Sequence, residues 1–296
     1  MAEQIDLAAG DWTAAVSPRI GGAVLSLERQ GRPILRPTPQ AAIAAEDVRQ
    51  TACFPLVPYA NRIGGGQFRF DGAAYRLRPN LSGSRHPLHG VGWLRAWSVV
   101  AADAHSCRLG LRHRPAGMDG EDWPFAFEAE QAISLEPTGM SLRLTVTNTD
   151  ARPAPIGLGW HPYFPRRQGE RLTFAAGGAW LNGPDLLPTQ ATDAPEWRFS
   201  AGRRIGEAAI DNDFHGWDGR AILEADGGSP VRLKADRLFD VLRIYTPPGA
   251  DFYAVEPVSH RADVISDASA AGRGMAILAP GESLSGAMAI EVELRG

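Results

Sequence analysis

The chain is short of lysine and cysteine. Of its 30 basic residues only Lys234 is a lysine, and Cys53 and Cys107 are the only cysteines in 296 residues. Two cysteines cannot build a disulfide framework, and they stand at no metal-ligand spacing. A cytoplasmic, reducing compartment is the expectation. No basic run of five or more residues occurs and the formal net charge is −4, so nucleic acid is not an expected partner. No segment approaches the roughly 20 apolar residues of a membrane helix, so no membrane is expected either. The opening MAEQIDLAAGDWTAAV carries acidic residues where a secretory signal would carry basic ones. Helical periodicity is nearly missing too, with room for a helix of some two turns only in AAIAAEDVR, 41–49. There is no HExxH pair, no serine nucleophile elbow and no glycine-rich phosphate loop, since RIGGGQF leads into a strand.

What the chain does have is short β-rich segments between turn signals that recur every eight to twelve residues. QFRFDGAAYRLRP, 67–79, places Asp71-Gly72 between two alternating arms, a two-residue hairpin signal because both residues tolerate positive φ. A second hairpin is expected over 127–148 around Pro137 to Gly139, with Leu142, Leu144 and Val146 facing a core and Arg143, Thr145 and Thr147 facing water. A third is expected over 220–236 around Gly227-Gly228, followed by strands at FDVLRIYTP, DFYAVEPV and SGAMAIEVELR. No repeat and no long linker interrupts the pattern, so residues 1–296 read as a single all-β domain, a large antiparallel β-sandwich.

Four places set polar side chains among residues that ought to be core. In PYANRI, 58–63, Asn61 and Arg62 follow an apolar run, although an arginine after a strand also commonly reaches solvent or caps a carbonyl. In HPLHGVGWLRAW, 86–97, His89 stands near Trp93 and Trp97. Indole faces pack against the C–H faces of a pyranose while an imidazole reads hydroxyls. Two core tryptophans beside a loop histidine is the plainer reading. In GLGWHPYF, 157–164, His161 follows Trp160 at the end of an apolar run. In FYAVEPVSH, Glu256 follows four apolar or aromatic residues, and a carboxylate facing a core is costly unless paired or protonated. It therefore needs a partner unless the strand end is open to water. A further segment, IDNDFHGW, offers Asp211, Asp213 and His215. No third ligand accompanies His86 and His89, so no metal is expected.

In this order and separation, GGAVLSL, PYANRI, LHGVGWLRAW, GLGWHPYF, AIDNDF and FYAVEPVSH resemble the aldose 1-epimerase (galactose mutarotase) family over most of the chain. The resemblance implies a large antiparallel sandwich of the galactose mutarotase type. It also implies interconversion of the α and β anomers of a free sugar with no metal or organic cofactor. The family's catalytic base falls on Glu256, its general-acid histidine on His161 and the histidine of its LHG segment on His89. Arg62 falls on the hydroxyl-binding arginine. Asp211, three residues before a phenylalanine, is selected over Asp213 as the hydroxyl-binding aspartate. Asn61, Trp93 and Trp160 are added as substrate-binding candidates, with Trp123 as a further platform. The resemblance implies that Glu256 is ionised and His161 protonated, a state their mutual attraction would favour. The family's QFYT-like strand is sought in DFYAVEP, where its glutamine ligand has no counterpart. The proline-rich tryptophan segment of the hexose-6-phosphate relatives is replaced by FPLVPYANRI, which favours an unphosphorylated sugar. The competing readings are a carbohydrate-binding or sugar-sensing protein without turnover, and a glycosidase or lyase using Glu256 with Asp211. Binding alone needs no base opposite an acid histidine, and that pair is what separates the readings.

Overall fold

The computed structural model describes residues 4–206, 209–266 and 275–292. These residues form two large sheets of nine and eight strands, a four-stranded sheet near the N-terminus and two small two-stranded ones. The fold is a large antiparallel β-sandwich, as expected. The hairpins fall where the turn residues put them. Gln67–Phe70 pairs with Ala73–Arg76 across Asp71 and Gly72, both at positive φ (49° and 77°), the two-residue turn that matches strand twist. Phe127–Glu136 pairs with Gly139–Asn148 in unbroken register from Phe127 opposite Asn148 to Glu136 opposite Gly139. Leu142, Leu144 and Val146 are fully buried, while Arg143 is exposed and Thr145 and Thr147 are half-buried. The last strand is Ser283–Val292, and its expected continuation over 293–295 lies outside the described residues.

The helix expected over 41–49 divides. Gln40–Ala44 is helical, Glu46 turns left-handed at φ 53°, and a single tight turn, Val48–Gln50, follows with the Asp47 side chain accepting from the Arg49 amide. A five-residue helix has no interior to propagate through, so it serves as a connector.

The eight-stranded sheet positions everything that follows. Across it run Pro188–Thr192, Gly178–Asn182, Ile210–His215, Val241–Thr246, Phe252–Val258, Gly159–Trp160 and Pro55–Leu56, with Tyr163–Pro165 also on the Phe252–Val258 strand. Its two faces are both covered. On one, Tyr253, Val255, Leu242 and Ile244 join Leu142, Leu144 and Val146 of the nine-stranded sheet in the main core. On the other, Ala254 and Val258 join Phe54, Trp93, Tyr163 and Leu25, the last from the four-stranded sheet, in a second core. Burial on both faces explains why the central strand reads as a near-continuous apolar run. The even residues Phe252, Ala254 and Glu256 share the second face, and Glu256 is the exception within it.

The segment 57–62 meets the 88–92 turn on that face. His89 and Gly90 are both left-handed, at φ 59° and 68°. A Cβ on Gly90 would lie 2.4 Å from the Val57 carbonyl oxygen, which accepts from the amides of Val91 and Gly92. Gly90→Ala is therefore expected to cost more than about 3 kcal/mol of unfolding free energy. Gly72→Ala, left-handed in open space, should cost about 1–2 kcal/mol. Urea denaturation of both variants checks this, and equal losses would defeat the crowding argument.

Candidate active site

Strand register brings five side chains into one row. Asp213 lies opposite Arg243, and Arg243 lies opposite Glu256. Gly159 is opposite Val258 and Tyr163 opposite Ala254, so His161, midway between them, meets Glu256. On its other side the His161 amide donates to the Phe54 carbonyl at 3.0 Å. The order is thus Asp213, Arg243, Glu256, His161 and Phe54 across neighbouring strands.

The row is bonded along most of its length. Arg243 Nη1 donates to Asp213 Oδ1 at 2.7 Å, and Nη2 donates to Asp211 Oδ1. Asp213 Oδ2 accepts from the Ala262 amide at 2.7 Å. His161 Nε2 lies 3.3 Å from Glu256 Oε1, with both side chains buried. Glu256 Oε2 and His161 Nδ1 are buried without a hydrogen-bond partner. Phe54 stacks on the His161 ring at 4.8 Å and Tyr163 packs against it at 4.4 Å.

Burial governs the protonation of the pair. It pushes Glu256 well above the ordinary carboxylate range; the Arg243 guanidinium opposes this, Asp211 and Asp213 add to it, and Arg62 opposes it. It pushes His161 down to about 3, helped by the positive charges of Arg243 and Arg36. Both shifts favour the neutral form, a carboxylic acid beside an uncharged imidazole, over the glutamate–imidazolium pair that the resemblance implies, because burial penalises both charges.

His89 is fixed by its backbone neighbours. Its Nδ1 accepts from the Asn61 amide at 3.0 Å while its own amide donates to the Asn61 carbonyl at 2.9 Å. An imidazole nitrogen that accepts carries no proton, so the neutral ring holds its hydrogen on Nε2. Burial, then His161, Arg62 and Arg243, push His89 well below its ordinary value. His260, outside the cavity, has the opposite tautomer: Nε2 accepts from the Ala60 amide at 3.1 Å and Nδ1 donates to the Arg261 carbonyl at 2.8 Å. Burial lowers its pKa too. Asn61, left-handed at φ 60°, accepts on Oδ1 from the Arg62 amide (2.8 Å) and from Arg62 Nη1 (3.2 Å). Arg62 Nη1 in turn lies 3.9 Å from Asp211 Oδ2.

These groups surround a cavity of about 420 Å³, within the range of small-molecule sites. Glu256, His161, His89, Arg62, Asp211 and Asn61 all line it. Asp211 reaches the cavity, whereas Asp213 stays buried behind Arg243. Trp93 also lines it, but its ring lies against Phe54 at 5.6 Å and its Nε1 donates to the Leu88 and Gly90 carbonyls. Trp160 is a correction. It points into the main core, donating from Nε1 to Gln131 Oε1 at 3.0 Å and packing on Phe239. Adjacent residues of an extended strand face opposite ways, so His161 in the cavity sends Trp160 to the other side. Trp123 is likewise core, against Tyr59 and Phe68. Among the described residues no three His, Cys, Asp or Glu side chains form a metal-ligand group.

Arg243, Phe54, Tyr163, Tyr245 and Phe252 line the cavity and were not singled out from the sequence. The signal for Arg243 was present: Arg243 to Thr246 reads RIYT, in the strand beside that of Glu256 and separated from it by residues 247–251. This strand resembles the QFYT-like strand sought in DFYAVEP, with arginine where that motif has glutamine.

Sheet order and cavity together define the class of galactose mutarotase-like β-sandwich proteins. Within it, the chain belongs to the aldose 1-epimerase family, whose model matches residues 3–291. It is 32% identical over 283 residues to the uncharacterized protein YphB of Escherichia coli K12, covering 92% of this chain and 93% of that one. A crystal structure from E. coli K12, provisionally assigned as an aldose 1-epimerase, superposes with a TM-score of 0.89 at 31% identity over 98% of both chains. A galactose mutarotase-like protein from Clostridium acetobutylicum shares the fold, with a TM-score of 0.86 at 20% identity, over 98% of this chain and 95% of that one. No helix among the described residues is long and apolar enough to cross a membrane.

The buried rings set a direction for stability. His86, His89, His113, His161 and His260 have lowered folded pKa values, so the unfolded chain binds their protons first as pH falls below about 6.5. Glu256, raised when folded, and Glu170, pushed up to about 7, work the other way above the ordinary carboxylate value. Five histidines against two carboxyls leave the unfolded chain ahead in bound protons near pH 5. The unfolding free energy is expected to drop by at least roughly 2 kcal/mol from pH 7 to pH 5. Urea titrations at the two pH values measure it, and a flat response would show that these rings are not held neutral.

Proposed function

We propose that this chain is an aldose 1-epimerase that interconverts the α and β anomers of a free, unphosphorylated aldose. The observation that carries the reading is the buried contact between Glu256 Oε1 and His161 Nε2, 3.3 Å apart, at the wall of a sugar-sized cavity. Ring opening removes a proton from the C1 hydroxyl and delivers one to the ring oxygen as the C1–O5 bond breaks and the aldehyde forms. Rotation about C1–C2 and reclosure give the other anomer, so the pair ends with the proton count it began with.

Glu256 acts as base and His161 as acid while the ring is closed, which leaves Glu256 protonated and His161 neutral over the open chain. Reclosure reverses both transfers. The neutral form favoured by burial is thus the one that accompanies the open-chain sugar, and the two forms hold the same single proton and differ only in where it sits. A buried acceptor left unpaired costs about 1–3 kcal/mol, and a sugar hydroxyl at Glu256 Oε2 recovers it. His89 donates from Nε2 to a sugar oxygen. Arg62, Asn61 and Asp211 hold hydroxyls, and Arg243 offsets charge on the Glu256 carboxylate. The reading needs no metal or organic cofactor in the proton transfers.

Polarimetry of freshly dissolved α-D-glucose and α-D-galactose tests this directly. Wild type should accelerate the change in rotation for at least one sugar. Glu256→Gln and His161→Ala should each lose about 10²- to 10⁴-fold in kcat/KM, with Glu256→Gln still folded. Activity surviving in Glu256→Gln would move the base elsewhere. Sugar binding without acceleration by wild type would favour a binding protein.

The pH profile follows from the shared proton. A second proton on the pair closes the acid side and loss of the first closes the alkaline side, giving a bell whose limbs belong to the pair. With His161 pushed down to about 3, kcat/KM at pH 5 is expected within about twofold of its value at pH 7. An acid limb at the ordinary histidine value of about 6.5 would contradict that protonation scheme.

A further inference from the structure

Arg36 lies behind the cavity wall rather than in it. Its guanidinium sits over the Tyr163 ring at 4.0 Å and over the Phe252 ring at 4.2 Å, and both of those rings line the cavity. The two rings meet edge to face at 5.2 Å. Arg36 Nη2 donates to the Arg49 carbonyl at 2.9 Å and to the Thr51 carbonyl at 3.0 Å, while the Arg36 amide donates to the Tyr163 carbonyl at 2.8 Å. One side chain thus ties the chain at 36, the 49–51 turn that leads to Phe54, and the strand that follows His161.

No carboxylate among the described residues stands within ion-pair distance of Arg36, and its buried Nε has no hydrogen-bond partner. A half-buried guanidinium with no contact ion pair, and only the more distant charges of Asp251 and Asp47 to offset its own, is expensive to keep. Aromatic faces and carbonyl dipoles recover part of that cost. The arrangement suits a group that must remain positive and planar in one place.

We propose that Arg36 is a positioning residue for His161: its guanidinium clamps the Tyr163 and Phe252 rings into a fixed wall, and His161, held between Tyr163 and Phe54, takes its orientation from that wall. Its catalytic consequence rests on the anomer-exchange reading above, whereas the clamp itself does not. The charge has a second effect, because Arg36 is one of the cations that disfavour a protonated His161. The titratable and charged groups facing that ring are Glu256 on the neighbouring strand, Arg243 beyond it, His89 from the 88–92 turn, Tyr163 on its own segment and Arg36 behind Tyr163.

Two substitutions separate the roles. Arg36→Lys keeps the charge and loses the planar face and the forked donors, whereas Arg36→Met loses all three. Imidazole titration of His161 by NMR, in the sugar-free protein, is read beside kcat and KM in polarimetry. Arg36→Met should raise the His161 midpoint and lower kcat by about tenfold, a size consistent with losing a desolvated cation–π contact. Arg36→Lys should leave the midpoint near wild type and lower kcat severalfold through the slackened wall. If Arg36→Met does not fold, Arg36→Gln, which keeps an amide donor for the Thr51 carbonyl, carries the same arms. An unchanged midpoint and kcat in the charge-removing variant would overturn the proposal. So would a change confined to KM in both variants, since that describes a part of the cavity mouth only. Absence of mutarotation in wild type would end the functional reading, while the His161 titration would still decide the clamp.

Discussion

The placement of a charged row inside a doubly covered sheet is the constraint on which the site depends. Asp213, Arg243, Glu256 and His161 stand on neighbouring antiparallel strands at one level, and none is open to bulk water. Each is costly alone. Arg243 is tolerated because two aspartates take its donors, and Glu256 because Arg243 and His161 flank it. A slip of one residue in any of these strands would turn its member to the main core and leave its neighbours unpaired. Chemistry and register are therefore specified by the same contacts.

Much of this was legible in the sequence, for physical reasons that differ from element to element. Asp71-Gly72 announced its hairpin because few residue pairs accept two successive positive φ values. Glu256 announced a partner because a carboxylate among Phe, Tyr, Ala and Val is costly unless it is paired, protonated or open to water. The partner's identity was not legible. Arg243 sits in an apolar strand at a position that a one-dimensional reading cannot align with residue 256, because pairing depends on where residues 247–251 turn the chain back. Trp160 was misplaced for a simpler reason: indole chemistry was weighed and strand parity was not. The direction of the pair's shifts was not legible either, because attraction between opposite charges can be read from residue types, whereas the desolvation opposing it depends on a burial that only the fold reveals.

The turn residues of the site follow a similar logic. Asn61 and His89 adopt left-handed backbone conformations that side-chain-bearing residues seldom take, and each is held there by the other, amide to ring and amide to carbonyl. Such strain persists only where surrounding contacts over-determine it. Here the second core supplies that support, with Phe54 and Trp93 packed beneath the turn. The site is consequently held by fixed backbone as much as by side-chain choice.

The segment bearing Arg62 is fastened at two successive amides, Ala60 and Asn61, each donating to a ring nitrogen of a different buried histidine. Both fasteners act as acceptors. In the course of sequence drift, positions 89 and 260 can accommodate only side chains that present a lone pair to that segment. An asparagine or glutamine carbonyl would meet the requirement there and an arginine or lysine would not. The choice of residue at these positions is thereby narrowed by the polarity of two peptide groups, quite apart from anything a ligand in the cavity would demand.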